Sequence, residues 1–129
     1  MRLLLDTHAF LWFIGGNERL SRSAREAILD RESERFVSIA SLWEMSIKAG
    51  LGRLDVPRPF ERLLREHVIG NAMEVLPIRP LHLDVLTDLT QHHRDPFDRL
   101  ILAQATVERL TIVSRDAEFE RYGVPLLTA

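Results

Sequence analysis

Short apolar runs that suit buried strands alternate with segments whose apolar residues recur at helical spacing, and this alternation most narrows what the chain can fold into. Arg2 to Leu5 is the first run, ending at Asp6, and Thr7 to Ile14 follows as an apolar helix stopped by Gly15 and Gly16. Ser21 is placed to cap a helix showing Ala24, Ala27 and Ile28 on one face. Arg35 to Ile39 suits a second strand and Ser41 to Ala49 a helix. Beyond Pro57 and Pro59, the residues Phe60, Leu63, Leu64 and Val68 form a helical stripe ended by Gly70-Asn71. Glu74 to Ile78 is a third strand, and Pro80 opens a helix. Asp95-Pro96 opens another that is apolar almost all round, and so should be buried. Leu110 to Val113, Asp116 to Arg121 and Val124 to Leu127 complete the series as strand, short helix and strand. Such an order predicts an α/β fold, a parallel sheet with helices on both faces. In such sheets ligands bind beyond the carboxyl ends of the strands.

The 129 residues suit one domain spanning 1–129. A hydrophobic fraction of 46% supports a core, and the absence of cysteine excludes disulfides and thiolate metal sites. No apolar run approaches a membrane span, and Met1 to Asp6 meets a charge too soon for a signal peptide, so a cytoplasmic protein is expected. The net charge of −2 provides no global basic field for nucleic acid. Lys48 is the only lysine among many arginines, a bias that genome composition explains as well as phosphate binding does.

The acids fall where this map puts a ligand. Asp6 ends the first strand, Glu44 lies in the first turn of the helix after the second, Asp98 in the first turn of the buried helix, and Asp116 just past the fourth strand. All four are expected on one sheet edge. Carboxylates brought that close repel each other, and a hard divalent cation such as Mg²⁺ or Mn²⁺ relieves them. A site of this kind can generate hydroxide and stabilise a leaving oxygen in phosphodiester cleavage. Each acid also has a bland explanation. Asp6 and Asp116 suit helix caps. Glu44 suits a capping box with Ser41 and an ion pair with Lys48. In Asp95-Pro96-Phe97-Asp98, Asp95 suits the cap and Asp98 the ligand. Convergence of the four, rather than any one, carries the expectation.

Thr7, Ser38 and Ser114 place hydroxyls beside that edge, where they can hold the carboxylates or serve turns and caps. His8, His92 and His93 are weaker candidates, since a His-His pair in a polar loop usually faces solvent. Trp12 and Trp43 sit among aliphatics on helices and read as core rather than as platforms for bases. The stripe of Phe60, Leu63, Leu64 and Val68, or that of Ala24, Ala27 and Ile28, could receive a partner helix, although such stripes are more often core.

The segments Leu4-Leu5-Asp6-Thr7-His8, Ser38-Ile39-Ala40-Ser41-Leu42-Trp43-Glu44, Asp95 to Ala105 and Val113-Ser114-Arg115-Asp116 together resemble the PIN domain, and more narrowly the VapC-type toxins of bacterial toxin–antitoxin pairs. The resemblance spans essentially the whole chain. It implies a three-layer sandwich with a five-stranded parallel sheet, and an endoribonuclease dependent on Mg²⁺ or Mn²⁺. By motif it assigns Asp6, Glu44, Asp98 and Asp116 as catalytic, metal-binding acids. Thr7 and Ser114 match small hydroxyl positions beside them, Ser114 conservatively replacing a commoner threonine. It further implies tRNA or rRNA as substrate, a small antitoxin that covers the acidic site, and a homodimer.

Other functions compete. A DNA nuclease or RNA-processing nuclease without an antitoxin would use the same acids. A phospho-acceptor module needs a paired acid near the first strand and a lysine at a later strand end, whereas Asp6 stands alone and Lys48 is mid-helix. A binding protein with a vestigial site is hard to reconcile with a full set of acids.

Overall fold

The computed structural model describes residues 1–91 and 93–129. Its five strands are β1 (Arg2–Leu5), β2 (Glu34–Ser38), β3 (Glu74–Leu76), β4 (Thr111–Ser114) and β5 (Leu126–Thr128). They form one sheet in the order β3-β2-β1-β4-β5, and every pairing is parallel. The helices are α1 (Thr7–Ile14), α2 (Arg22–Leu29), α3 (Ile39–Gly50), α4 (Phe60–Leu63), α5 (Pro80–Asp88) and α6 (Pro96–Glu108). A π-helical turn (Leu64–Val68) and a 3-10 turn (Ile69–Asn71) prolong α4, and a further 3-10 turn spans Ala117–Tyr122. Among the described residues no helix is long and apolar enough to cross a membrane.

Alternation along β1 makes the three layers. Leu3 and Leu5 point to one face, joining Phe10, Ala24, Ile28, Met45, Leu63 and Val68 in one buried cluster. Leu4 points to the other, against Ile101, Leu102, Ala105 and Phe119. A central parallel strand buried on both faces accounts for the unbroken leucines. The two stripes weighed as partner surfaces belong to the first cluster: Leu63, Val68, Ala24 and Ile28 are buried, and Phe60, Leu64 and Ala27 pack against them. As expected, Leu100 to Ala105 of α6 are all buried.

Several boundaries move, each for a local reason. Ser38, not Ser41, caps α3, its side chain accepting from the Ala40 N–H. The helix therefore starts two residues early, Glu44 falls in its second turn, and the Ser41–Glu44 capping box does not form. Ser41 is buried instead, its hydroxyl without a hydrogen-bond partner among the described residues. β3 stops at Leu76 because Pro77 cannot extend the ladder. Arg109, in the left-handed conformation at φ 56°, ends α6, and the Leu110 N–H turns back to the Ala105 carbonyl, so β4 starts one residue late.

Candidate metal-binding site

Parallel register aligns Leu5 with Val37 and Val113, so Asp6, Ser38 and Ser114 follow at the same level of the sheet. Asp6 leaves β1 with its amide still bonded to the Val113 carbonyl (3.1 Å), and its carboxylate caps α1 by accepting from the Ala9 N–H at 2.8 Å. It is 6% exposed. Burial raises its pKa; the Ser114 hydroxyl, the Ala9 amide and His8 oppose this, and Asp116 adds to it.

Glu44 reaches inward from α3 and is equally buried. The Thr7 hydroxyl donates to Oε1 and the Lys48 ammonium to Oε2, both at 2.7 Å. Of its two bland roles, the ion pair with Lys48 is therefore formed. Asp98 is the third residue of α6, whose cap is Asp95: the Asp95 carboxylate accepts from the amides of Phe97 (2.9 Å) and Asp98 (3.2 Å). Burial, then the charge of Asp95, push the Asp98 pKa up to about 7; His93 works against them, and Asp6 and Glu44 with them. Asp95 is thus both a cap and a member of the acidic cluster. Asp116 caps the last 3-10 turn through the Glu118 N–H, while its own amide is held by the Ser114 hydroxyl, each at 3.0 Å.

Asp6, Glu44, Asp95, Asp98 and Asp116 line one cavity of about 300 Å³. All four acids marked in the sequence are brought together there, as is Thr7, while Ser114 lies fully buried beside them, bonded to Asp6 and to the Asp116 amide. Ser38 is placed otherwise. Its hydroxyl donates to Oε1 of buried Gln104 at 2.5 Å, joining the start of α3 to α6 rather than holding one of the four acids. The remaining lining is Thr7, His8, Trp12, Lys48 and Arg115. Trp12 packs half-buried against the first core cluster, as expected, and is also a wall of the cavity. The Arg115 guanidinium lies 4.8 Å from its ring centroid and itself donates to the carbonyls of Arg19 and Ala129. Trp43, by contrast, is not core. It is 59% exposed, because α3 turns Leu42 and Met45 inward, and it meets Phe97 edge-on at 5.1 Å.

His93 is the residue the sequence reading undervalued. Its Nε2 lies 2.7 Å from Oδ2 of Asp116 and 3.1 Å from Oδ2 of Asp98, and its side chain is only 12% exposed. Single ligand-capable atoms of His93, Asp98 and Asp116 all lie within 4.8 Å of one another. Nothing local in the sequence marked this, although Tyr122 and Phe119, which hold the histidine from the far side, were available as aromatic partners. His92 lies outside the described residues.

Five carboxylates line one cavity into which, among the described residues, only Lys48 and Arg115 bring full positive charge, and one acid is driven toward neutrality. The donor set is almost wholly carboxylate oxygen, which suits a hard divalent cation of the Mg²⁺ or Mn²⁺ kind.

The PIN domain family model matches residues 3–125. Among solved structures, VapBC2 from Rickettsia felis bound to a DNA fragment from its promoter is 18% identical with a TM-score of 0.70, covering 98% of both chains. DNA-bound VapBC from Salmonella typhimurium is 19% identical at 0.67, covering 98% of this chain and 97% of the other. A toxin–antitoxin complex from Klebsiella pneumoniae is 20% identical at 0.65, covering 98% and 96%. At such identities these likenesses speak for the fold. No curated protein matches the sequence significantly.

Proposed function

The chain belongs to the PIN domain family, a family of nucleases, and from that premise we propose that it is a cytoplasmic, Mg²⁺- or Mn²⁺-dependent endoribonuclease and the toxin of a toxin–antitoxin pair. The observation that carries the enzymatic part is the convergence of Asp6, Glu44, Asp98 and Asp116 on one cavity with burial enough to raise the Asp98 pKa to about 7. Asp6 and Asp98 are the principal ligands in this reading, and Glu44 and Asp116 complete the site. A divalent ion bound there would supply activated water and offset charge on the phosphate. The chain supplies the rest. Thr7 and Lys48 fix the Glu44 carboxylate in one orientation, and Ser114 ties Asp6 to the backbone of Asp116. Arg115, braced on Trp12, and Lys48 offer cations to a polyanion entering beside the acids.

Incubating the purified protein with total RNA and Mn²⁺, and mapping the new ends, tests this. Discrete cuts in tRNA or rRNA that vanish with chelator are expected. Intact RNA of every class in the presence of Mn²⁺ would sink the proposal, and equal cutting of DNA would turn it toward a general processing nuclease.

The toxin part draws on the likeness to solved toxin–antitoxin complexes. The partner in this reading is a small antitoxin presenting a basic side chain to the acidic cavity. We also propose a homodimer through α3. Ile39, Trp43, Ile47 and Leu51 follow at every fourth residue and are 39%, 59%, 40% and 62% exposed, one continuous apolar ridge rather than scattered surface residues. The ridge carries no charge, so two copies meet without like-charge repulsion, and a helix ridge of this spacing packs against its own copy. Sedimentation should show a dimer at micromolar concentration. Ile47→Glu with Leu51→Glu should give a folded monomer, with a wild-type circular dichroism spectrum, whose melting temperature no longer depends on protein concentration. A monomeric wild-type protein at high concentration rules the interface out.

A further inference from the structure

The hydrogen bonds around His93 decide what its ring can do among the acids. Nδ1 accepts the backbone N–H of Asp95 at 3.2 Å, so that nitrogen carries the lone pair and Nε2 carries the hydrogen. Nε2 is the atom that faces Asp116 at 2.7 Å and Asp98 at 3.1 Å. Neighbours from several elements hold the residue in place. Its amide donates to the Tyr122 hydroxyl at 2.6 Å, its carbonyl accepts from Arg99 Nη1 at 3.3 Å, and the Phe119 ring lies 5.7 Å from the imidazole. The ring thus presents an N–H to the acids, where a metal ligand would present a lone pair.

From this geometry we infer that His93 is a positioning residue and not a ligand: it donates its Nε2 hydrogen to Asp116, lies 3.1 Å from Asp98, and so sets the two carboxylates for the cation. The inference rests on the metal-dependent reading given under Proposed function. It separates the roles of the acids. Asp116 already accepts from Glu118 through Oδ1 and from His93 through Oδ2, so it enters the site with both oxygens engaged. Asp6 and Glu44 are held by the protein's own hydroxyls and amides, whereas the imidazole is what spans Asp98 and Asp116.

The test uses the full chain with Mn²⁺ alone, by calorimetry and by pulsed electron paramagnetic resonance. In the wild type no directly bonded histidine nitrogen should couple to the Mn²⁺ electron spin. His93→Ala should weaken Mn²⁺ binding about 10–100-fold, the usual effect of losing an outer-shell partner. His93→Gln, whose amide N–H₂ can donate from nearly the same place, should stay within a few-fold of wild type. Strong nitrogen coupling that disappears in His93→Gln would make the histidine a ligand and overturn the inference. So would wild-type affinity in His93→Ala. Should His93→Ala fail to fold, the wild-type spectrum and the His93→Gln affinity still decide. A wild-type protein that binds no Mn²⁺ at all overturns the metal-dependent reading itself, a failure distinct from the other two.

Discussion

Asp98→Asn should lose RNA cleavage and Mn²⁺ binding while melting at a higher temperature than wild type in chelator at pH 8. The two effects share one cause. Burial and the neighbouring charges of Asp95, Asp6 and Glu44 raise the Asp98 pKa from 3.8 to about 7. The folded state therefore binds this proton more tightly than the unfolded chain does. Stability from the group is present below the unfolded value and is lost as pH rises toward 7. Above that pH, holding a charged carboxylate there costs at most about 4 kcal/mol, from roughly three pH units at about 1.4 kcal/mol each. A neutral amide of the same shape removes the cost, and a gain of several degrees is expected at roughly 2–4 °C per kcal/mol. Loss of cleavage should exceed the roughly 100-fold ceiling for outer-shell partners of a metal. Asp6→Asn is the companion variant. Asparagine caps helices as well as aspartate does, so the bond from the Ala9 amide survives while the charge does not. Calorimetric melting and an end-mapped cleavage assay on both variants measure this. Cleavage at the wild-type rate by both would remove the acids from the chemistry.

Metal removal is the second large effect. In chelator, melting temperature should fall as pH rises from about 4 to about 7, because Asp98 ionises without a counter-charge, and the raised pKa of Asp6 acts in the same direction. Saturating Mn²⁺ should flatten this slope, since the cation binds the ionised form. At about a hundred times the dissociation constant the ion adds about 2.7 kcal/mol, or roughly 5–10 °C for a domain of this size. Below pH 7 binding must first displace the Asp98 proton, so affinity should drop with acidification and protons should be released on titration. Calorimetry in buffers of different ionisation heat counts them. Identical melting curves with chelator and with Mn²⁺ at pH 8 would leave the acidic cavity without a cation.

The fold and the acids were readable from the sequence because their signals are local. A leucine run that stops at Asp6, and a proline-started helix with Asp95 and Asp98 in register, can be read within a few residues. What escaped depends on which way a side chain turns. Apolar composition alone could not tell the inner from the outer side of α3, so Trp43 passed for core although the helix turns it outward. Ser38 and Ser41 are both plausible caps three residues apart, and the choice moved Glu44 by a full turn without moving it from the cavity. Ser38 then spends its hydroxyl on Gln104, a partner 66 positions away that no spacing rule could name. His93 is the strongest case. Its place between Asp98 and Asp116 is set by the Asp95 amide two residues on and by Tyr122 and Phe119, two contacts that exist only once the last 3-10 turn has packed against this loop.

The strand order has a consequence for when this protein can act. The middle strand of the sheet is the first of the five in chain order, yet one of its two neighbours, β4, is the fourth. Until that neighbour slots in, Asp6 has no Ser114 beside it and no Asp116 opposite. On the proposed reading, a chain still being made has no assembled cutting edge until β4 and the turn after it have left the ribosome.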